Sequence, residues 1–189
     1  MLLSQFELLL NKRQFPKAED LELPDITPIQ RATLDTLSRE VIQGYFLTIS
    51  NLSKLEIVLM FTFTVAIEPP TIFDENTVTV VFDIDGKNIP INLASKTFGT
   101  RNYSITVPPK DTGLLIVQPN PLKITEEEIE IRGYVNVSIF ENDGRKIDLL
   151  FTPEHRATFY KRNDSGIEKL DQIAYALPTT TGGSLFTLD

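Results

Sequence analysis

The chain has 189 residues, 41% of them hydrophobic and twelve of them Phe, which is enough apolar material for a packed core and argues against disorder. Acidic residues outnumber basic ones 26 to 18, a net charge of −8, and the basic residues are scattered, so the composition opposes binding to nucleic acid or anionic lipid. Without cysteine there are no disulfides, thiolate nucleophiles or Cys-ligated metals, and with one histidine there is no two-histidine metal site within the chain.

The first segment, MLLSQFELLLNKRQF, lacks the order of a secretory signal: its basic pair follows the apolar stretch and Glu7 interrupts that stretch. No window has the length and apolarity of a membrane span. The reading is a soluble, cytoplasmic protein without membrane insertion. Leu2, Phe6 and Leu9 sit at helical spacing and predict a short amphipathic helix. Thr27-Pro28 looks like a helix cap followed by proline at the first helical position, so a second helix is predicted from Ile29 to about Val41, with an extended segment as the alternative. Residues 1–40 are thus expected to be a partly helical or irregular extension packing on a β domain formed by the rest of the chain.

From Gln43 the period changes to two. Tyr45, Leu47 and Ile49 alternate with polar residues, and a polar turn at Asn51–Lys54 leads into LEIVLMFTFTVAI, residues 55–67, in which every odd position is apolar. That is the signature of a long strand with one buried face. Glu68-Pro69-Pro70 ends it, since proline donates nothing to a ladder. Val78, Val80, Phe82 and Ile84 mark a strand that runs into Asp85-Gly86, a dipeptide suited to a tight type I′ hairpin, with Asn88–Leu93 returning. Further strands are predicted at Tyr103–Val107, Leu114–Gln118 and Ile129–Ile139; Asp143-Gly144 turns the last of these into Ile147–Phe151. Ala157 and Phe159, then Ile173, Tyr175 and Leu177, mark two more before a Thr/Gly-rich stretch and the small apolar tail Leu185, Phe186, Leu188.

Eight or nine strands with no helical crossover between them exclude a parallel sheet, and the two Asp-Gly turns require antiparallel neighbours. The predicted architecture is an antiparallel β-sandwich at residues 41–178, with a barrel as the alternative and residues 179–189 as a flexible tail. The succession of short strands, with the segments YFLTISNLS and RGYVNVSIF, looks like the broad immunoglobulin- or fibronectin-III-like group. The Cys pair and core Trp of antibody domains are absent, and the group has no common activity, so the resemblance implies a fold alone.

Little in the sequence carries chemistry. His155 lies in Thr152-Pro153-Glu154-His155-Arg156, which reads as a loop entering a strand, and the simplest reading is a surface or edge histidine. No Gly-x-Ser-x-Gly elbow and no Gly-rich phosphate loop is present. Asp83, Asp85, Glu126, Glu127 and Glu128 are weak candidates for a cation such as calcium, although Asp85 is accounted for by its turn and the glutamates by a solvated loop. No cofactor is implied. Apolar residues on nominally polar faces point instead to a partner: Val58 and Met60 on the 55–67 strand, Tyr134 and Phe140 on the 129–140 strand, and Leu185, Phe186 and Leu188, which could add a strand to a neighbouring sheet edge. The leading expectation is therefore a non-catalytic structural or protein-interaction module that binds a protein partner or a second copy. The alternatives are a small-ligand or calcium binder using the acidic loops and, last, a carboxylate hydrolase.

Overall fold

Period-two segments form strands here, and every strand pair is antiparallel. The computed structural model describes residues 1–13, 26–65, 73–120, 122, 128–140, 145–163 and 166–188. Among them are β1 (Leu2–Arg13), α1 (Pro28–Leu37), β2 (Glu40–Asn51), β3 (Ile57–Val65), β4 (Val78–Ile84), β5 (Lys87–Pro90), β6 (Leu93–Thr97), β7 (Thr100–Val107), β8 (Thr112–Pro119), β9 (Ile129–Ile139), β10 (Ile147–Asn163), β11 (Gly166–Ala176) and β12 (Leu185–Leu188). They join into one curled sheet in the order β5-β4-β8-β2-β1-β9-β3-β7-β6, while β10 lies on the other edge of β2 and carries β11 and β12.

The curl originates at β2. One edge of this strand pairs with β10 from Glu40 to Asn51. The other edge is shared: β1 takes Glu40–Gln43 and β8 takes Tyr45–Ser50. Two strands cannot occupy one edge without diverging, so β1 swings out of line with β2 and carries β9, β3, β7 and β6 with it. The swing begins at an extra residue in β1 between Leu9, opposite Gln43, and Lys12, opposite Val41. Asn11 sits in this bulge at φ 57°, a left-handed conformation that asparagine tolerates better than most residues. It is held there by the Tyr160 hydroxyl, which donates to Asn11 Oδ1 at 2.5 Å.

The odd face of β3 lines the enclosed core, with Ile57, Leu59, Phe61 and Phe63 all buried. Phe6, Tyr45, Phe63, Phe73 and Tyr103 meet there mostly edge-on, with ring centroids 5.3–6.4 Å apart. Burial pushes the Tyr103 hydroxyl up to about 12. Phe6 also lies over Gly133, its ladder partner on β9. A Cβ at Gly133 would come within 1.9 Å of the Thr64 carbonyl oxygen and 2.9 Å of the Phe6 ring, so the close approach of β9 to β3 needs glycine.

Three local readings of the sequence are corrected. Residues Leu2–Leu9 are strand, not helix, and β1 is an inner strand lying between β2 and β9 rather than a helix packed on the sheet. Three consecutive leucines, Leu8–Leu10, satisfy either period; ladder pairing on β9 decides for period two and buries Leu8 and Leu10. The second helix is present as α1, with Thr27 and Gln30 forming a reciprocal capping box, but it ends at Leu37, and Glu40 and Val41 belong to β2. Thr152–His155 is not a loop: β10 runs unbroken through Pro153. The Pro153 carbonyl accepts from the Leu177 N–H at 2.8 Å, so its imide nitrogen points to the same side, away from β2 and into the gap between β12 and β11. No β2 ladder bond is lost. Finally, the apolar tail is not free, because β12 pairs with Ile147–Leu150 of β10.

The Asp85-Gly86 turn forms as predicted, with φ of 54° and 68° at its two residues. The Asp143-Gly144 turn lies outside the described residues. No helix among the described residues is long and apolar enough to cross a membrane.

Candidate functional site: a cleft along β1

Where β1 parts from β2, the first half of β1 keeps β9 on one edge and, among the described residues, has no strand on the other. A cleft of about 800 Å³ opens along that edge, lined by β1 at Ser4–Glu7, by Arg132–Tyr134 of β9, by His155, and by the Leu177–Thr180 segment that comes after β11. The edge is closed at two places. The Thr180 N–H donates to the Leu3 carbonyl at 3.1 Å. The Glu7 N–H donates to His155 Nε2 at 3.0 Å. Because backbone groups alternate between the two edges of a strand, Leu3, Gln5 and Glu7 face the same way, and Gln5 presents its N–H and C=O to the cleft between those two closed rungs.

His155 is the pivot of a hydrogen-bonded ring. It is 5% exposed, not a surface residue, because it sits on the inward face of β10 in register with Tyr45 of β2 and Tyr175 of β11. Its Nε2 accepts from an amide, so in the neutral imidazole Nδ1 carries the proton and donates to Tyr175 Oη at 3.0 Å. Tyr175 donates onward to Gln43 Oε1 at 3.3 Å, and Gln43 Nε2 donates to Glu7 Oε2 at 3.0 Å, which returns the chain to the residue where it began. Burial lowers the His155 pKa, opposed by the nearby Glu7 carboxylate. Burial and the same carboxylate raise that of Tyr175.

Charges on the β1–β9 face extend the ring to the surface. Arg132 Nε donates to Glu7 Oε1 at 2.5 Å, its other end meets Glu130 at 2.8 Å, and Lys12 meets the second Glu130 oxygen at 2.9 Å. The Lys12 hydrogen bond holds the Glu130 carboxyl below its ordinary range, and Glu130 in turn raises Lys12. The result is a wall of paired charges with one hydrogen-bonding backbone rung, beside the apolar surfaces of Leu2, Tyr134, Leu177 and Pro178. Both histidine nitrogens are engaged, and Ser4 Oγ is bonded to the buried Tyr45 hydroxyl at 2.9 Å, so neither side chain presents a free reacting atom.

The residues singled out from the sequence fall in separate places. Tyr134 lines the cleft. Val58 and Met60 are half-buried on the outer side of β3, flanked by Thr106 and Ser104 of β7, and the Val58 carbonyl accepts the N–H of the exposed Phe140 at 2.8 Å. Leu185 is exposed, while Phe186 and Leu188 are buried against the chain's own β10. Of the acidic candidates, Asp83 lies on β4 and Asp85 at the hairpin tip, with β8, β2 and β1 between them and Glu128, which pairs with Lys12 at 3.8 Å. Glu126 and Glu127 lie outside the described residues. Among the described residues no three His, Asp or Glu side chains are grouped to hold a metal ion.

Glu7, Gln43, Arg132 and Tyr175 are not legible as site residues in the sequence, because their meeting depends on the branch at β2 and not on any local spacing. The one usable signal is His155, whose alternation with Ala157 and Phe159 places it on an inward face. No family model, no curated protein and no solved structure matches this chain.

Proposed function

We propose that this chain is a non-catalytic protein-interaction module of the sandwich type, and that its partner lies in extended conformation in the cleft, adding one rung to β1 at Gln5. The observation that carries the reading is the edge of β1 between Leu3 and Glu7, unpaired among the described residues, with its backbone turned into a cleft of about 800 Å³. Recognition through a strand edge takes its affinity from main-chain bonds and its selectivity from pockets for alternate side chains. Leu2, Tyr134, Leu177 and Pro178 supply apolar contact for such side chains, and the paired Glu7 and Arg132 supply polar contact without a strong field of either sign.

A displayed library of short linear peptides, selected against the wild-type chain and then titrated against Gln5→Pro, tests the proposal. Proline at position 5 removes only the cleft-facing N–H, since β9 pairs through the alternate residues Ser4, Phe6 and Leu8. The expected result is a set of peptides with apolar residues at every second position that bind wild type and lose at least about tenfold in affinity on Gln5→Pro, roughly one hydrogen bond. Failure to enrich any peptide, or equal binding to both chains, overturns it.

A further inference from the structure

Phe186 and Leu188 are buried, 2% and 6% exposed, yet they belong to a four-residue strand near the chain end. Phe186 stacks edge-on against Phe151 with centroids 5.4 Å apart, and Phe151 in turn meets Phe61 of β3 at 6.3 Å. The slot they fill does not depend on them. Its wall is β10, fixed by β2 along the whole of Leu149–Tyr160, and its floor is the core under β3.

What ties β12 to the rest of the chain is slight by contrast. Thr180 is anchored to β1, its N–H to Leu3 and its hydroxyl to the Leu2 carbonyl at 2.6 Å. The next anchored group is the Ser184 carbonyl, which accepts the Phe151 N–H at 2.8 Å. Between them, Thr181, Gly182 and Gly183 are exposed and, among the described residues, bonded within the loop, through the Thr179 and Thr181 hydroxyls to the Gly183 carbonyl and through the Gly182 N–H to the Thr179 carbonyl. Gly182 turns the chain at φ 74°, and glycine opens to an extended form at no steric cost.

We propose that β12 is an exchangeable strand: Ser184–Leu188 of one copy occupies the β10 slot of a second copy, and the exchange is reciprocal. The chain's own strand displays the fit. Leu188 would sit opposite the second copy's Ile147, Thr187 opposite Asp148, Phe186 opposite Leu149 and Leu185 opposite Leu150, as within one chain. Exchange keeps every contact of the strand and changes only the conformation of Thr181–Gly183, the condition under which an element moves between protomers at low cost. The occupant is therefore a second copy of this chain, since the only sequence known to fill the slot is its own.

The absence of native cysteine makes the exchange directly trappable. Asp148 and Thr187 are ladder partners whose side chains meet at 2.7 Å, on a pair that does not exchange backbone bonds, the closest kind of cross-strand pair. A chain carrying only Asp148→Cys is mixed with one carrying only Thr187→Cys and oxidised, and the doubly substituted chain is oxidised alone. The expected result is a disulfide-linked heterodimer from the mixture, an intrachain disulfide from the double variant in dilute solution, and loss of the heterodimer when Phe186→Ser is added to the Thr187→Cys chain. A mixture that stays monomeric while the double variant closes overturns the proposal. A heterodimer that survives Phe186→Ser would be a collision product and overturns it as well, and a double variant that fails to close removes the register on which the exchange is built.

Discussion

His155 ties β1 to β11 through its two ring nitrogens, accepting from the Glu7 N–H and donating to the Tyr175 hydroxyl, and the bond from Glu7 requires the neutral ring. A proton on Nε2 would take away the lone pair that receives the Glu7 N–H. Because burial sets the folded pKa below the ordinary 6.5, the unfolded chain takes up that proton first. The stabilisation from His155 is therefore complete above about pH 6.5 and declines as the pH falls from there toward the folded value. Glu130, also shifted down, adds its own loss at lower pH, as Lys12 and Arg132 lose their acceptor. The charged groups facing the ring, Glu7 directly and Arg132 through it, do not reverse the sign. Denaturant titrations should show stability falling as the pH drops below about 6.5 in the wild type and a flatter profile in His155→Asn. The same substitution at pH 7.5 should cost about 2 kcal/mol, for an amide and a hydroxyl left without their partner. A wild-type profile as flat as that of the variant would contradict the assignment. Gly133 makes an independent prediction. Gly133→Ala forces Cβ into the Thr64 carbonyl and should cost about 3 kcal/mol or prevent folding, as read from soluble yield and melting temperature.

At the scale of elements, β10 shows how a proline is carried inside a sheet. Pro153 faces the gap between β12 and β11, whereas its neighbour Thr152 faces β2 opposite Thr48. Pro153→Ala should therefore change stability by less than about 1 kcal/mol, while Thr152→Pro should cost about 3 kcal/mol or more by removing a central ladder bond, a contrast that urea titration of the two variants measures. Phe186→Ala, at the buried end of β12, should cost about 3 kcal/mol. These elements also mark what the sequence can and cannot reveal. Strands with a single alternating face, such as β3, β4 and β9, are legible, and the left-handed Asp85-Gly86 turn is specified by its two residues. β1 reads as a helix because Leu8–Leu10 fits both periods, and β10 reads as two pieces because proline marks a strand end when the bonding side is unknown. The burial of Phe186 and Leu188 is not legible at all. A Thr/Gly run before a short apolar tail has no pattern that says which edge the tail will meet.

For the whole molecule, the decisive feature is the division of the β2 edge between β1 and β8. It curls the sheet around one aromatic core, and among the described residues it leaves the first half of β1 with a single strand neighbour. The cleft, the histidine ring and the candidate binding rung all depend on that one branch, so no local motif announces them. The acidic and basic side chains that line the cleft, Glu7 and Arg132, pair with each other even though the chain carries a net −8, which suits contact with a main chain more than with an ion. The claim that β1 offers an open rung to a partner is tested most directly by amide hydrogen exchange at single-residue resolution, with and without a peptide selected on the wild-type chain. In the free protein the Gln5 amide is expected to exchange much faster than those of Phe6 and Leu8, and the peptide to slow Gln5 while leaving Phe6 and Leu8 unchanged. A Gln5 amide as protected as Phe6 before any peptide is added, or one that the bound peptide leaves unaltered, would contradict it.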